Sequence, residues 1–347
     1  MEQDTTTPPR FEPGRLRLAR ELRQLSQVQL ANDLGLTGSA VSQFESGATR
    51  PSPETLNAMS VVLQVSSAFW TQPLNDTHEG FFRSLRRSSV AHRRRARALG
   101  HLAHDLATRD TGRPNNFVTP HVPHVAGIDL TTAAPVIEAA AAYVRSAWGV
   151  PPGPIPNVVR LLEQNGIIVI RLPLDTADVD AFSLPFDDCP VIVLGSDKND
   201  RARSRFDAAH ELGHLVLHGE QVWGVKEVEH QANTFAAAFL MPENDIRAQL
   251  PTRADWPAFF RLKQEWQVSL AALLMRARTL KSISPAQYIG AMKAISARGW
   301  RRSEPVPLGA PETPHLLQDL LLNHDAIEEA DLPTGLLDVL GLTLTTK

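Results

Sequence analysis

The chain has 347 residues, 43% of them hydrophobic and 21% charged, a balance ordinary for globular protein and a length that can hold two domains. No apolar run approaches about 18 residues, and the start, Met1 to Pro13, is polar, so neither a membrane span nor a signal peptide is expected. The single cysteine, Cys189, excludes an internal disulfide and fits a reducing cytoplasm. Cys189 reads as a small buried residue at a strand start in preference to a metal ligand or redox switch. Residues 1–115 hold 15 Lys and Arg against 11 Asp and Glu, whereas residues 116–347 hold 20 against 27. That basic front points to a nucleic-acid partner.

In chain order, Pro13 to Leu25 predicts a helix with Leu16, Ala19, Leu22 and Leu25 inward. Ser26 is a good N-cap for the next, Gln27 to Leu34, which buries Leu30 and Leu34. After the turn Gly35-Leu36-Thr37, a third helix runs from Gly38 to Ser46 and is ended by Gly47. Ser52-Pro53-Glu54 opens a fourth with Leu56, Met59, Val62 and Leu63 at core spacing, and Ser66 to Trp70 closes the bundle. Helix, tight turn, helix is the helix-turn-helix arrangement. Leu16 to Val65 resembles the Cro/repressor (XRE) type, with S-Q-x-x-L-A-x-x-L-G-x-x-x-x-x-V-S-x-x-E-x-G from Ser26 to Gly47.

The resemblance implies that the third helix enters the major groove of DNA, with Val41 and Phe44 toward the core. Thr37, Gly38, Ser39, Ser42 and Gln43 would then face the bases, where Ser and Gln can bond base edges. Gln27, at a helix start, would meet a phosphate, and Arg50 would add another phosphate contact. The module would act as a homodimer on a half-palindromic site. Gly38 departs from the pattern, since many relatives carry a longer side chain there.

Phe81 to Arg87 and Ala91 to Arg97 lie in a segment, residues 80–115, that holds nine Arg and two Asp. The spacing of Phe81, Leu85, Ala91, Ala98 and Leu102 predicts a connecting helix whose arginine side is either a solvated face or a track for DNA phosphates. Most of residues 108–135, rich in Pro, Asn, Thr and His, reads as linker, with His121 and His124 as exposed loop histidines. Ala134 to Trp148 and Asn157 to Asn165 read as helices. Ile167 to Leu172, Asp180 to Pro185 and Pro190 to Leu194 read as strands.

The strands lead into Phe206 to His218, which contains H-E-x-x-H. On a helix, His210 and His214 point the same way one turn apart, so both imidazoles can bind one Zn²⁺ while Glu211 reaches a water beside it. Zinc acidifies such a water, and Glu211 can take its proton and pass it to a leaving amine. A second helical pattern from Glu229 ends at Met241-Pro242. Glu229 and Asn233 share one of its faces, so Glu229 can complete a His-His-Glu site and Asn233 can hold the far nitrogen of a ligand imidazole. His218 shares the ligand face too; it either donates a late proton or finishes the helix C-terminus as a cation. Arg203 and Arg205 either steady a substrate or cap the sheet.

F-x-x-A-H-E-L-G-H-L-x-L-H followed by E-x-x-A-N-x-F-A-A-x-x-L-M-P resembles the ImmA/IrrE metallopeptidases, bacterial and phage proteins that cut transcriptional repressors. The resemblance spans roughly residues 155–280 and implies His210, His214 and Glu229 as zinc ligands and Glu211 as general base, a gluzincin-like arrangement. It also implies a repressor as protein substrate, in a stress or mobile-element response. The strand Pro190 to Leu194 is expected at the sheet edge, where a peptide can add by main-chain hydrogen bonds.

Trp256 to Phe260, Leu262 to Trp266, Ser269 to Leu280 and Tyr288 to Ser296 read as helices. The tail from 304 reads as an acidic interaction segment with helices at His315 to Ala330 and Thr334 to Leu340. The expected fold class is α+β: an all-α helix-turn-helix bundle, then a zincin-like domain with a small sheet, the H-E-x-x-H helix and a helical C-terminal part. Its divisions fall at 11–72, 78–135, 136–282 and 283–347. Two rival functions stand beside a DNA-binding zinc peptidase. One is a zinc- or ligand-sensing regulator that cuts nothing; the other is an antitoxin-type repressor that works through a partner protein.

Overall fold

The structure is a computed structural model that describes residues 11–75, 89–109, 119–174, 181–197, 199–218, 225–322 and 328–344. The stretch Phe81 to Arg87 and the centre of the 108–135 segment lie outside the described residues.

The front folds from local signals. Helix α1 (Pro13–Leu22) starts on Pro13 with Glu12 capping Gly14 N. It stops before Leu25 because Gln24 adopts φ +58°, a left-handed conformation that a helix cannot continue through. Helix α2 (Gln27–Leu34) opens with a capping box between Ser26 and Gln29 and closes on Gly35 at φ +66°. Helix α3 (Gly38–Glu45) is capped by Thr37, and α4 (Pro53–Leu63) by Ser52. A 3-10 turn, Ser67–Thr71, brings Phe69 and Trp70 under the bundle beside Leu16, Leu30, Val41, Met59 and Leu63.

Helix α5 (Val90–Thr108) is capped by Ser89 and packs its buried face, from Ala96 through Ala107, against α1 and the sheet. Buried Arg15 of α1 pairs with Asp105 of α5 and also donates to Gln72 O at 3.1 Å and to Pro73 O. Next come α6 (Ala134–Ala147), α7 (Val158–Gln164), strands β1 (Ile168–Leu172), β2 (Ala181–Leu184) and β3 (Val191–Gly195), then α8 (Arg201–Leu217) and α9 (Lys226–Leu240). Helices α10 (Glu243–Ile246), α11 (Trp256–Trp266), α12 (Leu270–Thr279), α13 (Pro285–Ala297), α14 (Leu316–Leu322) and α15 (Leu336–Leu340) complete the chain. Helix α11 is one continuous helix where two short ones were expected, running from the Asp255 cap to Gln267 at φ +51°.

The sheet has the order β1-β3-β2, with β3 parallel to β1 and antiparallel to β2. The expectation that Pro190 to Leu194 forms an edge is therefore wrong: β3 is the middle strand. Its run Val191-Ile192-Val193-Leu194 is buried on both faces, the pattern of a central strand. Successive side chains alternate between two cores. Ile168, Ile170, Phe182, Leu184, Val191 and Val193 face the helix-turn-helix bundle and α5. Val169, Ala181, Ile192 and Leu194 face α6 to α9 and the C-terminal helices α11 to α13.

Two segments depart from their expected roles. The described part of the linker docks on the second core, burying Ile128 and bonding Val125 N to Val216 O at 3.0 Å; His121 and His124 remain exposed. The tail is not a free acidic segment, because Leu317, Leu320, Leu321, Leu336 and Leu340 bury themselves in the first core. Its Glu312 is 6% exposed, accepts from Val158 N and Val159 N at 2.8 and 3.0 Å, and pairs with Arg205 of α8. Arg205 is itself buried and donates to Ile155 O at 2.6 Å, which makes it a structural strut between α8 and the tail. Glu312→Ala leaves Arg205 as an uncompensated buried charge and is expected to destabilise the fold by about 3–5 kcal/mol, read from urea unfolding midpoints.

Candidate functional site

Helix α8 begins at Asp200, whose carboxylate accepts from Arg203 N at 3.0 Å, and is buried along most of its length. It lies closely on α9, and Gly213 permits the approach. A Cβ at Gly213 would sit 3.0 Å from Phe235 Cδ1 and 3.2 Å from Phe235 Cβ.

The ligand-capable atoms of His210, Glu211 and His214 lie within 4.8 Å of one another. The two Nε2 atoms are 3.0 Å apart, close to the roughly 3.3 Å edge of a tetrahedron with metal–nitrogen bonds of about 2.05 Å. From α9 the Glu229 carboxylate reaches to 3.5 Å from His210 Nε2 and 4.0 Å from His214 Nε2. Two imidazoles and a carboxylate thus converge on one point, a donor set that suits Zn²⁺. His214 is 1% exposed in its side chain, against 16% for His210 and 31% for Glu229, so the open side of the cluster lies at His210 and Glu229.

Hydrogen bonds behind His214 fix its tautomer. The Gln231 amide nitrogen donates to Asp129 O at 2.7 Å, which turns its oxygen toward His218 Nε2 at 3.0 Å. That oxygen only accepts, so His218 carries its proton on Nε2 and offers a lone pair at Nδ1. His214 Nδ1, 3.1 Å away, must then donate. The remaining lone pair of His214 is on Nε2, facing His210 and Glu229, as metal binding requires. Burial, with His210 as the next cause, holds the His214 pKa well below the usual range, and burial brings His218 down to about 4. Both rings are neutral at pH 7. His218 does sit at the C-cap of α8, but as a neutral ring and not as a cation.

Burial also depresses the His210 pKa, but the hydrogen bond to Glu229 and the charges of Glu211, Glu229 and Asp207 outweigh it, and the net shift is upward. Glu211 is 4% exposed and accepts from Ser183 Oγ of β2 at 2.8 Å. Burial pushes its pKa to about 7, against the opposing pull of His210 and Ser183. A carboxylate poised there exchanges protons near neutrality. Along the same two helices runs a cavity of about 700 Å³, lined by Asp207 of α8, Asn233 of α9 and apolar Phe206, Met275 and Trp300. Asn233 faces this cavity and donates its amide to Glu229 O at 2.8 Å. The far nitrogen of His214 is held by His218. Cys189 is buried at the start of β3, its thiol 3.6 Å from Gly166 O.

At the front, α3 buries only Val41, and Phe44 is half-buried against the core. Thr37, Ser39, Ser42, Gln43 and Arg50 are exposed, while the Gln27 amide donates to Glu45 at 2.8 Å. Glu45 is held in turn by buried Arg20 through bonds of 2.6 and 3.0 Å.

Residues 162–278 match the family model for the IrrE N-terminal-like domain of the M78 peptidases, and residues 16–70 match a helix-turn-helix family model. The chain joins an XRE-type helix-turn-helix module to an IrrE/ImmA-like metallopeptidase-family domain. No curated protein matches the chain closely enough to report. Among the described residues, no helix is long and apolar enough to cross a membrane.

Three contributors to the cluster have no signature of their own in the sequence: Ser183, Gln231 and the carbonyl of Asp129. Gln231 stands two residues past Glu229 in the same motif, but nothing in its spacing announces a partner thirteen residues back at His218. Gln231→Leu removes the acceptor that orients His218 and is expected to lower zinc affinity about 10–100-fold in a chelator competition titration, with Asn233→Ala close to wild type.

A second expectation concerns stability. Because the folded Glu211 pKa lies near 7 and the unfolded value at 4.5, the folded state binds more protons between these values, and stability falls as pH rises through that window. Glu211→Gln removes the penalty. In metal-free protein the variant is expected to be more stable than wild type at pH 8, by on the order of 3 kcal/mol, with the difference gone near pH 4. Urea unfolding in the presence of chelator at the two pH values measures it.

Proposed function

We propose that this chain is a DNA-binding transcriptional regulator whose IrrE-like domain is a zinc-dependent endopeptidase, with another regulatory protein as substrate. The observation that carries this reading is the convergence of His210 Nε2, His214 Nε2 and the Glu229 carboxylate beside a buried carboxylate, Glu211, whose pKa is tuned to about 7. His210, His214 and Glu229 would hold the metal, and a zinc ion bound there supplies Lewis acidity.

The remaining work belongs to the chain's own groups. Glu211 would take a proton at its carboxylate from the water that attacks the peptide carbonyl carbon and return it to the nitrogen as the C–N bond breaks; Ser183 fixes the orientation of that carboxylate. His218 and Gln231 hold His214 in the tautomer that binds. The open side at His210 and Glu229 gives a peptide room to approach. Assignment of a repressor as substrate, in a stress or mobile-element response in the cytoplasm, rests on the resemblance to the ImmA/IrrE proteins. On the DNA side the reading rests on the helix-turn-helix match and on the exposed α3 face, with Thr37, Ser39, Ser42 and Gln43 toward bases and Gln27 and Arg50 toward phosphates, acting as a homodimer. Tethering both activities in one chain raises the peptidase concentration near a DNA-bound target.

The test compares new protein N-termini in cells that carry wild type or Glu211→Gln, before and after DNA damage. The expected result is a terminus that depends on wild type and falls at least about 100-fold with the variant, while zinc content and DNA binding persist. Matching profiles from two proteins that regulate the same genes would instead make the cluster a sensor without proteolysis.

A further inference from the structure

We propose that the cleft where α1, α2 and α3 meet the first turns of α5 seats the DNA backbone, with Arg94 of α5 and Arg17 of α1 as phosphate-binding residues; this rests on the DNA-binding reading of the front module. The cleft has a volume of about 880 Å³ and is lined by Arg17, Arg20, Arg93, Arg94 and Arg97, against two carboxylates, Glu21 and Glu45. The two signs are sorted by depth. Glu21 is 6% exposed and the Glu45 side chain 6%, and Glu45 is engaged by Arg20 and Gln27. The Arg94 side chain is 53% exposed and Arg17 is exposed. Solvent, and any ligand arriving from it, meets the positive groups first.

Position decides between a solvated face and a binding surface. Arginines on a merely solvated helix face point away from the body. Here those of α5 converge with Gln27 and Ser42, the helix-turn-helix residues assigned to phosphate and base, in one concavity. A duplex whose groove receives α3 carries phosphates along both walls of that groove, and a backbone that reaches Gln27 runs past Arg94. The N-terminal ends of α2 and α5, at Gln27 and Val90, open into the same cleft. Their first backbone N–H groups have no intrahelical acceptor and add donors of the same sign.

The arginines are also held in place. Helix α5 is clamped by the Arg15–Asp105 pair and by burial of its residues from Ala96 onward, so binding does not have to order the helix that carries Arg94. An acidic protein could satisfy the charge but not the continuity with α3, which favours a ligand that spans both.

The experiment is fluorescence anisotropy of the full chain with a mixed-sequence duplex of about 30 base pairs between about 50 and 200 mM salt, because backbone contacts are sequence-independent and follow counterion release. Loss of one phosphate contact reduces the log–log salt slope by about 0.9, so the double variant Arg17→Ala/Arg94→Ala is expected to lose about 1.8 from the slope. Arg94→Lys, which keeps the charge, is expected to keep the slope; because Arg94 Nε also lies 3.8 Å from buried Glu21, slopes are compared below the melting transition of each variant. Wild-type affinity with an unchanged slope in the double variant would overturn this proposal and leave the helix-turn-helix reading intact. Absence of salt-dependent binding by wild type itself would overturn both.

Discussion

A three-stranded sheet with apolar residues on both faces has to be covered twice. Here that constraint holds the chain together. The side chains of β1, β2 and β3 alternate between the core shared with the helix-turn-helix bundle and the core shared with the metal-cluster helices. The sheet is therefore a wall between two halves that a sequence scan separates. Helix α5 and the tail leucines cover one face; α6 to α9 cover the other. Close contact is built in at Gly100 of α5, where a Cβ would sit 2.6 Å from Leu184 Cδ1 of β2.

The same wall supports the chemistry. Glu211, His214 and His218 are buried, and each would be costly to bury without a partner. The partners come from three separate places: Ser183 from the sheet, Glu229 and Gln231 from α9, and the Asp129 carbonyl from the segment before α6. Desolvation raises Glu211 toward neutrality while the Ser183 hydroxyl favours its charged form, so the strand both orients the carboxylate and limits its shift. The directional chain from His214 through His218 and Gln231 to Asp129 turns a local question, which imidazole nitrogen carries the proton, into a tertiary one.

What was legible in the sequence follows from this. His210, Glu211 and His214 announce themselves because helix periodicity alone brings them together, and Glu229 because a second helical pattern puts it on one face with Asn233. The helix-turn-helix was legible for a similar reason: Ser26 and Ser52 are local start signals and sit at the N-caps where they were expected, and Gly35 and Thr37, read as turn residues, cap the helices on either side of that turn. Ser183 and Gln231 were not legible, since their roles depend on packing between elements 28 and 13 residues apart from their partners. The Asn233 amide nitrogen donates to the carbonyl of Glu229 on its own helix, a bond that follows from the four-residue spacing alone. The central position of β3 was readable in its unbroken apolar run, although Pro190 to Leu194 was expected at the edge as the place where a peptide could add. The tail misled because charge was counted over a segment whose leucines carry the packing and whose Glu312 is buried.

Helix α5 then sets the geometry between the halves. Its first turns line the arginine cleft beside α2 and α3, and Gly100 touches the strand that carries Ser183. At 1.5 Å per residue, Arg94 and Gly100 are about 9 Å apart along the helix axis. One continuous α-helix, clamped to α1 by a buried ion pair and to the sheet by packing, spans that distance. A regulator of this build does not reach for its target on a flexible tether. The opening at His210 and Glu229 keeps a fixed direction relative to the groove that α3 would enter. Under the proposed function, a protein would then present a peptide to Glu211 only from certain positions on the neighbouring double-stranded DNA. Selection of such a substrate would come as much from where it is bound as from the residues around the bond to be cut.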